Sequence, residues 1–405
     1  MFQSRDPTQW PKATVSGGRV MLYVQHLLGI GHLKRAMTLA RAQAAAGMAV
    51  TVVSGGPGVA ELAIEGIRTV QLPPAFAADL TFRNLVDARG MPIDDQWKHE
   101  RQQALLAAYR EIDPDVLLIE LFPFGRRRMR FELLPLLDTA LGAARRPVIV
   151  SSVRDIGAGG QREPSRQRET VGLVEKYFDH VLVHSDPRWI RFERTFAYSD
   201  EIAQKIHYTG FVVERTVVAG NDAQAGNDEV IVSAGGGAVG RALFETALQA
   251  RPLSILADRT WRLLLGINAS AADAAAIEAL AGRAIGGRVV VERTRADFTT
   301  LLRNCALSIS QAGYNTTMEI LDAGARAVVV PFAGGSETEQ AFRANLLAQQ
   351  GQLQVVEEAA LSPAVLAAAI DRAARGRAAA RDAIDLDGAQ RSAALLAQWV
   401  AERSR

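Results

Sequence analysis

One cysteine, Cys305, stands in 405 residues. A single thiol rules out an internal disulfide and a multi-cysteine zinc cage, and its apolar surroundings point to burial in a reduced, intracellular protein. Nor does one sign of charge prevail. With 46 basic against 44 acidic side chains, the formal charge of +2 is too balanced for nonspecific adherence to a polyanion, so nucleic acid is not an expected partner. Long hydrophobic runs are missing as well: Val20–Gly31 falls short of the roughly 20 residues that span a bilayer and is broken by Gln25 and His26. The first eighteen residues, with Arg5, Asp6, Pro7, Pro11 and Lys12, are too polar for a secretory leader. The expectation is a cytoplasmic protein whose contact with the inner membrane, where there is any, is peripheral. The pattern G-x-x-x-x-G-K-[ST] is absent, which removes the phosphate-loop ATPases and kinases. Ser151, Ser152 and Asp155 lie in no nucleophile-elbow pattern, which sets a serine hydrolase aside.

What is present is an ordinary globular composition, 48% hydrophobic and 22% charged, in a chain long enough for two or three domains. From Arg19 onward short apolar runs alternate with helical patterns. Val20–Val24, Ala49–Val53, Asp115–Leu121, Pro147–Val153 and His180–His184 read as strands, and the pattern restarts with Glu229–Ser233, Trp261–Ile267, Arg288–Glu292, Ala306–Ser310 and Ala325–Phe332. Most of these runs do not alternate, as strands covered on both faces do not, so the expected fold class is α/β, with two doubly wound parallel sheets of Rossmann type. The polar stretch Val218–Asp228 is the linker candidate, dividing the chain into 1–217 and 218–405. Helices are expected over the alanine-rich Pro363–Ala383 and over Asp382–Ser404, the last packing on a domain, with the first domain as the candidate. Gly157–Thr170 reads as a loop.

Both halves open with a strand, a glycine-containing loop and a helix: MLYVQHLLGIGHLKRAMTLA at 21–40 and VIVSAGGGAVGRALFETAL at 230–248. Such a loop points free N–H groups and the positive end of a helix dipole at whatever sits there, so a phosphate-bearing ligand between two such loops is one reading and simple tight turns the other. Gly235, Gly237 and Gly240 satisfy G-x-G-x-x-G, yet the next strand ends in Gly266-Ile267-Asn268 without the acidic residue of a dinucleotide site. His32, following Gly31 at a helix start, has its cationic form disfavoured by the dipole and suits a general base, or else merely holds the loop. His26, His184 and Asp155 lie near strand ends; His99, His180 and His207 read as structural. Glu120 ends a strand and is a second candidate base, and the run Arg126-Arg127-Arg128-Met129-Arg130 is a solvated helix start or a contact for an acidic acceptor or anionic headgroups.

Ser308–Ala348 is the richest segment. A strand ends at Ser310, a polar turn carries Gln311, Gly313, Asn315, Thr316 and Thr317, and Glu319 is expected in the first turn of the next helix. After Gly334-Gly335-Ser336, the pair Glu339-Gln340 opens another helix. A carboxylate so placed can accept two hydroxyls, as a ribose diol offers, or can simply cap its helix.

Ser308–Ala348 together with Ser233–Gly240 resembles the donor-binding half of two-domain GT-B glycosyltransferases that add N-acetylglucosamine to lipid-linked peptidoglycan precursors. The layout fits from about residue 19 to 405, with similarity in the first half concentrated in residues 20–40. The resemblance implies an inverting transferase that moves a hexosyl or N-acetylhexosaminyl group from a UDP-sugar to an acceptor hydroxyl or amine, with no metal and no cofactor besides the co-substrate. By matching positions, Gly235, Gly236 and Gly237 are implied at the donor diphosphate, Gly313 and Thr316 at the pyrophosphate or nucleotide side, Glu319 at the ribose, and Glu339 and Gln340 at the donor sugar. His32 faces the acceptor as the base, with Glu120 as the other catalytic candidate and Gly29, Gly31, Arg126 and Asp155 on the acceptor side. The phrase GIGHLKRAMTLA is also similar to the loop of nucleotide-sugar hydrolases of sialic-acid-like sugar pathways, in which the histidine activates water. A hydrolase or epimerase of the same fold is therefore the alternative, and a non-catalytic sugar-nucleotide-binding protein the third reading.

Overall fold

The computed structural model describes residues 17–27, 30–59, 64–78, 84–156, 163–215, 223–234, 240–266, 269–283, 288–293, 295–334, 338–379 and 384–403. The first α/β unit contains β1 (Arg19–Val24), α1 (Gly31–Ala45), β2 (Ala49–Ser54), β3 (Arg68–Gln71), a small antiparallel pair β4 (Phe76–Ala77) and β5 (Leu85–Val86), α2 (Asp95–Ile112), β6 (Val116–Glu120), α3 (Arg130–Leu141), β7 (Val148–Arg154), α4 (Pro164–Tyr177), β8 (His180–His184) and β9 (Ile206–Tyr208). The second contains β10 (Val230–Ser233), α5 (Arg241–Ala250), β11 (Trp261–Leu265), α6 (Ala271–Ala281), β12 (Val289–Arg293), α7 (Phe298–Asn304), β13 (Leu307–Ser310), α8 (Tyr314–Ala323), β14 (Ala327–Val329), α9 (Glu339–Gln349), β15 (Gln354–Val355) and α10 (Pro363–Arg375). The chain then closes with α11 (Gly388–Arg403).

Two parallel sheets result, ordered β3-β2-β1-β6-β7-β8-β9 and β12-β11-β10-β13-β14-β15. The apolar run RVMLYV explains why β1 sits centrally. Its side chains alternate between two helix layers, Met21 and Tyr23 joining the apolar core that α2 and α3 cover, Val20, Leu22 and Val24 the one that α1 covers. Ala389, Leu396 and Trp399 of α11 belong to that second core, so the last helix covers the first sheet. In β10, Val230 and Val232 pack with Leu243, Phe244 and Leu366 of α5 and α10, while Ile231 packs on the other side with Leu301. Both faces of each central strand are thus dry, which is why these runs read as continuous rather than alternating.

Short edge elements escape the pattern: β3, β9 and β15 are half-exposed strands of two to four residues whose sequences carry no apolar run. Ala325–Phe332 yields only Ala327–Val329, because Val330 and Pro331 already lead out of the sheet. The loop expected at Gly157–Thr170 is helical from Pro164, whose fixed φ suits the first helical position; residues 157–162 lie outside the described part. The alanine-rich helix stops at Arg375, before Gly376. Of the linker, residues 216–222 are outside the described part, while Ala223–Asp228 pack on the second unit through the Asn304 side chain, which donates to the carbonyls of Ala223 and Ala225 at 2.8 and 2.9 Å. Among the described residues no helix is long and apolar enough to cross a membrane.

A buried ionic knot ties α2 and α3 to the sheet. Glu132 of α3 accepts from Arg101 Nε of α2 at 2.7 Å, from Arg101 Nη2 at 2.9 Å and from the Tyr23 hydroxyl at 2.5 Å. Arg101 also donates to Gln25 Oε1 at 2.5 Å and to the Gly55 carbonyl at 2.8 Å. On the other flank the His180 ring stacks on Trp399 with centroids 3.7 Å apart, and its Nδ1 meets His207 Nε2 at 3.1 Å. Inside the sheet His184 is held at both nitrogens, by Ser152 at 2.8 Å and Thr209 at 2.9 Å. These three histidines are structural, and His184 is no cleft residue.

Removing one side of the ionic knot strands the other charge in the core. Glu132→Gln is expected to cost about 3–5 kcal/mol in urea unfolding, and a cycle with Arg101→Met should show a coupling of at least about 0.5 kcal/mol; additive losses would disprove the pairing. Burial lowers His180 to about 4 and His184 to about 3. The unfolded chain binds those protons at about 6.5, so stability is expected to fall as pH drops below that value and to keep falling toward the folded values. Calorimetry at pH 5 should find His184→Asn taking up about one proton fewer on unfolding than the parent.

Candidate functional site

In a parallel sheet the crevice lies beyond the carboxyl ends of the strands, where successive connections leave in opposite directions. β1, between β2 and β6, and β10, between β11 and β13, are those switch points. The loops after them were the two read as ligand loops. Gly29 lies outside the described residues, as do Gly235, Gly236 and Gly237. Gly31 opens α1, and its carbonyl accepts from Asn315 Nδ2 of α8 at 3.2 Å, so the start of the first helix faces the start of α8 across the two units.

His32 is the second residue of α1. Its Nδ1 lies 2.8 Å from Glu120 Oε1, at the carboxyl end of β6, and Arg35, one helical turn further along α1, donates to the same oxygen. Glu120 is buried. Burial alone would raise its pKa, but His32, Arg35 and Arg126 outweigh burial and hold it well below the usual carboxylate range. An ionised carboxylate at 2.8 Å requires the proton on Nδ1, which leaves Nε2 with its lone pair free. Burial lowers the His32 pKa to about 3 against the opposing pull of Glu120, with Arg126 and Arg154 adding to the lowering, so the imidazole is neutral at pH 7. Its side chain keeps 17% of its surface exposed, enough to meet a ligand. A neutral histidine with a fixed tautomer and an open Nε2 is a proton acceptor.

Several contacts join the units around this dyad. Lys34 Nζ lies 2.5 Å from Glu319 of α8; burial opposes its charge, and Glu319 more than restores it. Arg154 Nη2 lies 2.8 Å from Glu339, and Asp155 receives Arg343 Nε and Nη2 at 2.6 and 2.8 Å in a buried bidentate pair. Tyr314 is the centrepiece: its hydroxyl accepts from the Val212 N–H at 2.9 Å and donates to the His184 carbonyl at 3.3 Å, and the guanidiniums of Arg35 and Arg343 lie 5.5 and 5.2 Å from its ring.

The positions picked from sequence therefore fall into three groups. His32, Glu120, Gly31 and Arg126 gather on the first unit's side of the cleft. Glu319, Glu339 and Asp155 line the junction, each engaged by a cation of the opposite unit. Gln340 Oε1 accepts from the Phe332 N–H at 3.2 Å, bracing the loop after β14. The turn after β13 is shorter than the sequence reading has it. Gly313 caps α8, so Asn315, Thr316 and Thr317 sit in the first helical turn, Thr316 and Thr317 are buried rather than displayed, and Glu319 falls in the second turn.

Sequence reasoning missed Lys34, Arg35, Arg154, Tyr314 and Arg343. Arg35 was within reach, since i and i+3 share a helix face with His32; the others join only through the tertiary arrangement. Ser233 and Ser310, register partners at the ends of β10 and β13, were missed too. Their hydroxyls are buried beside the second switch point and have no hydrogen-bond partner among the described residues.

Residues 286–396 match the model of the glycosyltransferase family 28 C-terminal domain. No curated protein matches the sequence. Solved structures similar to the chain include the glycotransferase of kitacinnamycin, 18% identical with a TM-score of 0.62, the alignment covering 95% of this chain and 99% of that one. MurG of Acinetobacter baumannii aligns at 16% identity and TM-score 0.56 over 94% and 99%, and the glycosyltransferase VinC, solved with dTDP, at 15% and 0.58 over 95% of both. The chain thus has the two-unit GT-B fold of these glycosyltransferases, and its residues 286–396 are similar to the glycosyltransferase family 28 C-terminal domain.

Proposed function

We propose that this protein is an inverting glycosyltransferase that moves a hexosyl or N-acetylhexosaminyl group from a UDP-sugar to an acceptor hydroxyl or amine. The observation that carries the reading is the His32–Glu120 dyad, 2.8 Å apart, at the first switch point, where the start of α1 meets α8 of the unit whose residues 286–396 match the family 28 model. His32 Nε2 takes the proton of the acceptor as its oxygen or nitrogen attacks the anomeric carbon. Glu120 fixes the tautomer and stabilises the imidazolium that forms. The bond to the nucleotide diphosphate breaks on the opposite face of the sugar, which inverts the centre. The start of α5, with the unpartnered Ser233 and Ser310 hydroxyls near it, favours the leaving diphosphate, so the scheme needs no metal and no cofactor beyond the co-substrate. VinC, of the same fold, was solved with dTDP, which supports a nucleotide diphosphate on the second unit.

Glu319 is the ribose ligand in this reading, and the nucleotide has to displace Lys34 from it. Glu339 and Gln340 stand at the head of α9 for the donor sugar, and Gly313 and Thr316 at the head of α8 for the nucleotide. Gly235, Gly236 and Gly237 complete the diphosphate contact.

His32→Ala is expected to lower turnover roughly 10²–10⁴-fold, and Glu120→Gln by a similar factor because the amide no longer dictates the tautomer. An unchanged rate in steady-state assays of sugar transfer would remove either residue from the chemistry. Glu319→Ala should weaken UDP binding in calorimetry by about tenfold or more while leaving the melting temperature within a few degrees; equal affinity refutes the ribose assignment. UDP released from UDP-sugars as fast without an acceptor as with one reassigns the acceptor to water.

A further inference from the structure

Three guanidinium groups converge on the first unit's side of the cleft and are incompletely used. Arg35 is buried; one terminal nitrogen serves Glu120, and among the described residues its Nε has no hydrogen-bond partner. Arg154, at the end of β7, reaches Glu339 through Nη2, and its buried Nε likewise has no hydrogen-bond partner among the described residues. Arg126, just beyond β6, donates from Nε to the Gln25 carbonyl at 2.7 Å, and its terminal nitrogens make no hydrogen bond among the described residues. The three feel one another: burial, then Arg154 and Arg35, lower the Arg126 pKa against the opposing effect of Glu120. The carboxylates facing them are Glu120 and Glu339, since Asp155 is neutralised by Arg343. Three cations against two anions leave this half-buried place one positive charge in excess. Like charges brought together out of bulk water raise the free energy of the empty site, and an incoming oxyanion lowers it by accepting the unused N–H groups.

We propose that Arg35, Arg126 and Arg154 form an oxyanion subsite for the acceptor, binding a phosphate or carboxylate group carried near the hydroxyl or amine that His32 deprotonates. The subsite rests on the reading of His32 as the base, and it narrows the acceptor to an anionic molecule. Its place on the first unit separates it from the donor diphosphate, which belongs to the loop after β10. The planar guanidinium fork suits both phosphate and carboxylate, so the two are told apart by probe and not by geometry.

The test is calorimetric titration of the full-length protein, saturated with UDP at low ionic strength, with inorganic phosphate and separately with malonate. At least one probe is expected to bind, and Arg126→Gln should weaken it by about tenfold or more. Arg128→Gln, which changes an exposed arginine of the same run, should leave binding unaltered. No binding of either probe overturns the proposal, as does equal affinity in Arg126→Gln or equal loss in Arg128→Gln. Displacement of the probe by UDP overturns it too, because the anion then sits in the donor's place. Should the glutamine variant fail to fold, Arg126→Lys replaces it: losing the fork while keeping the charge should still weaken binding, and unchanged affinity overturns the subsite. The UDP isotherm is read on its own. Absent UDP binding removes the nucleotide-sugar reading, while the dependence on Arg126 still decides the anion subsite.

Discussion

Burial of the Glu120 carboxylate governs the cleft. A carboxylate at the end of a central strand, 1% exposed, persists in ionised form only because His32 and Arg35 reach one of its oxygens from the same face of α1. That shared oxygen fixes α1 against β6, sets the proton of His32 on Nδ1 and leaves the lone pair on Nε2. It also holds Arg35 beside the Tyr314 ring of the second unit, so one interaction serves both the geometry of the base and one of the contacts between the units.

Ionic pairs cross the junction between the units beside an apolar cluster in which Ile156, Ile190, Phe211 and Val213 of the first unit pack with Tyr314, Met318 and Ile320 of the second. Lys34 with Glu319, Arg154 with Glu339 and Arg343 with Asp155 each pair a side chain of one unit with its opposite charge on the other. Such pairs trade hydration for Coulomb attraction at little net gain, so their part is to fix which side chains meet more than to add stability. The Asp155–Arg343 pair is bidentate and fully covered, whereas Lys34 and Arg154 keep partial exposure.

Much of this was legible beforehand, and the reasons are specific. Val20–Val24, Val116–Glu120 and Val230–Ser233 are apolar runs because both of their faces are covered, so the central strands announce themselves. The head of α1 was legible because Gly31 and His32 follow a strand at short spacing, a local pattern. The short edge strands were not, since Arg68–Gln71 and Ile206–Tyr208 earn their place by pairing with neighbours rather than by composition. The turn before α8 was read too long because Asn315, Thr316 and Thr317 look like loop residues until the helix that follows Gly313 buries two of them.

What the sequence by itself determined is the alternation of strand and helix, the two switch-point loops and the identity of His32 and Glu120 as candidates, since each follows from hydrophobic period and local backbone chemistry. What only the tertiary structure decided is who meets whom. Glu120 and His32 are 88 positions apart, Asp155 and Arg343 188, and Lys34 and Glu319 285. A charge carries no address in the sequence, because its partner is selected by the crossovers that bring strand ends to one edge and by the low dielectric that forbids it to stay alone.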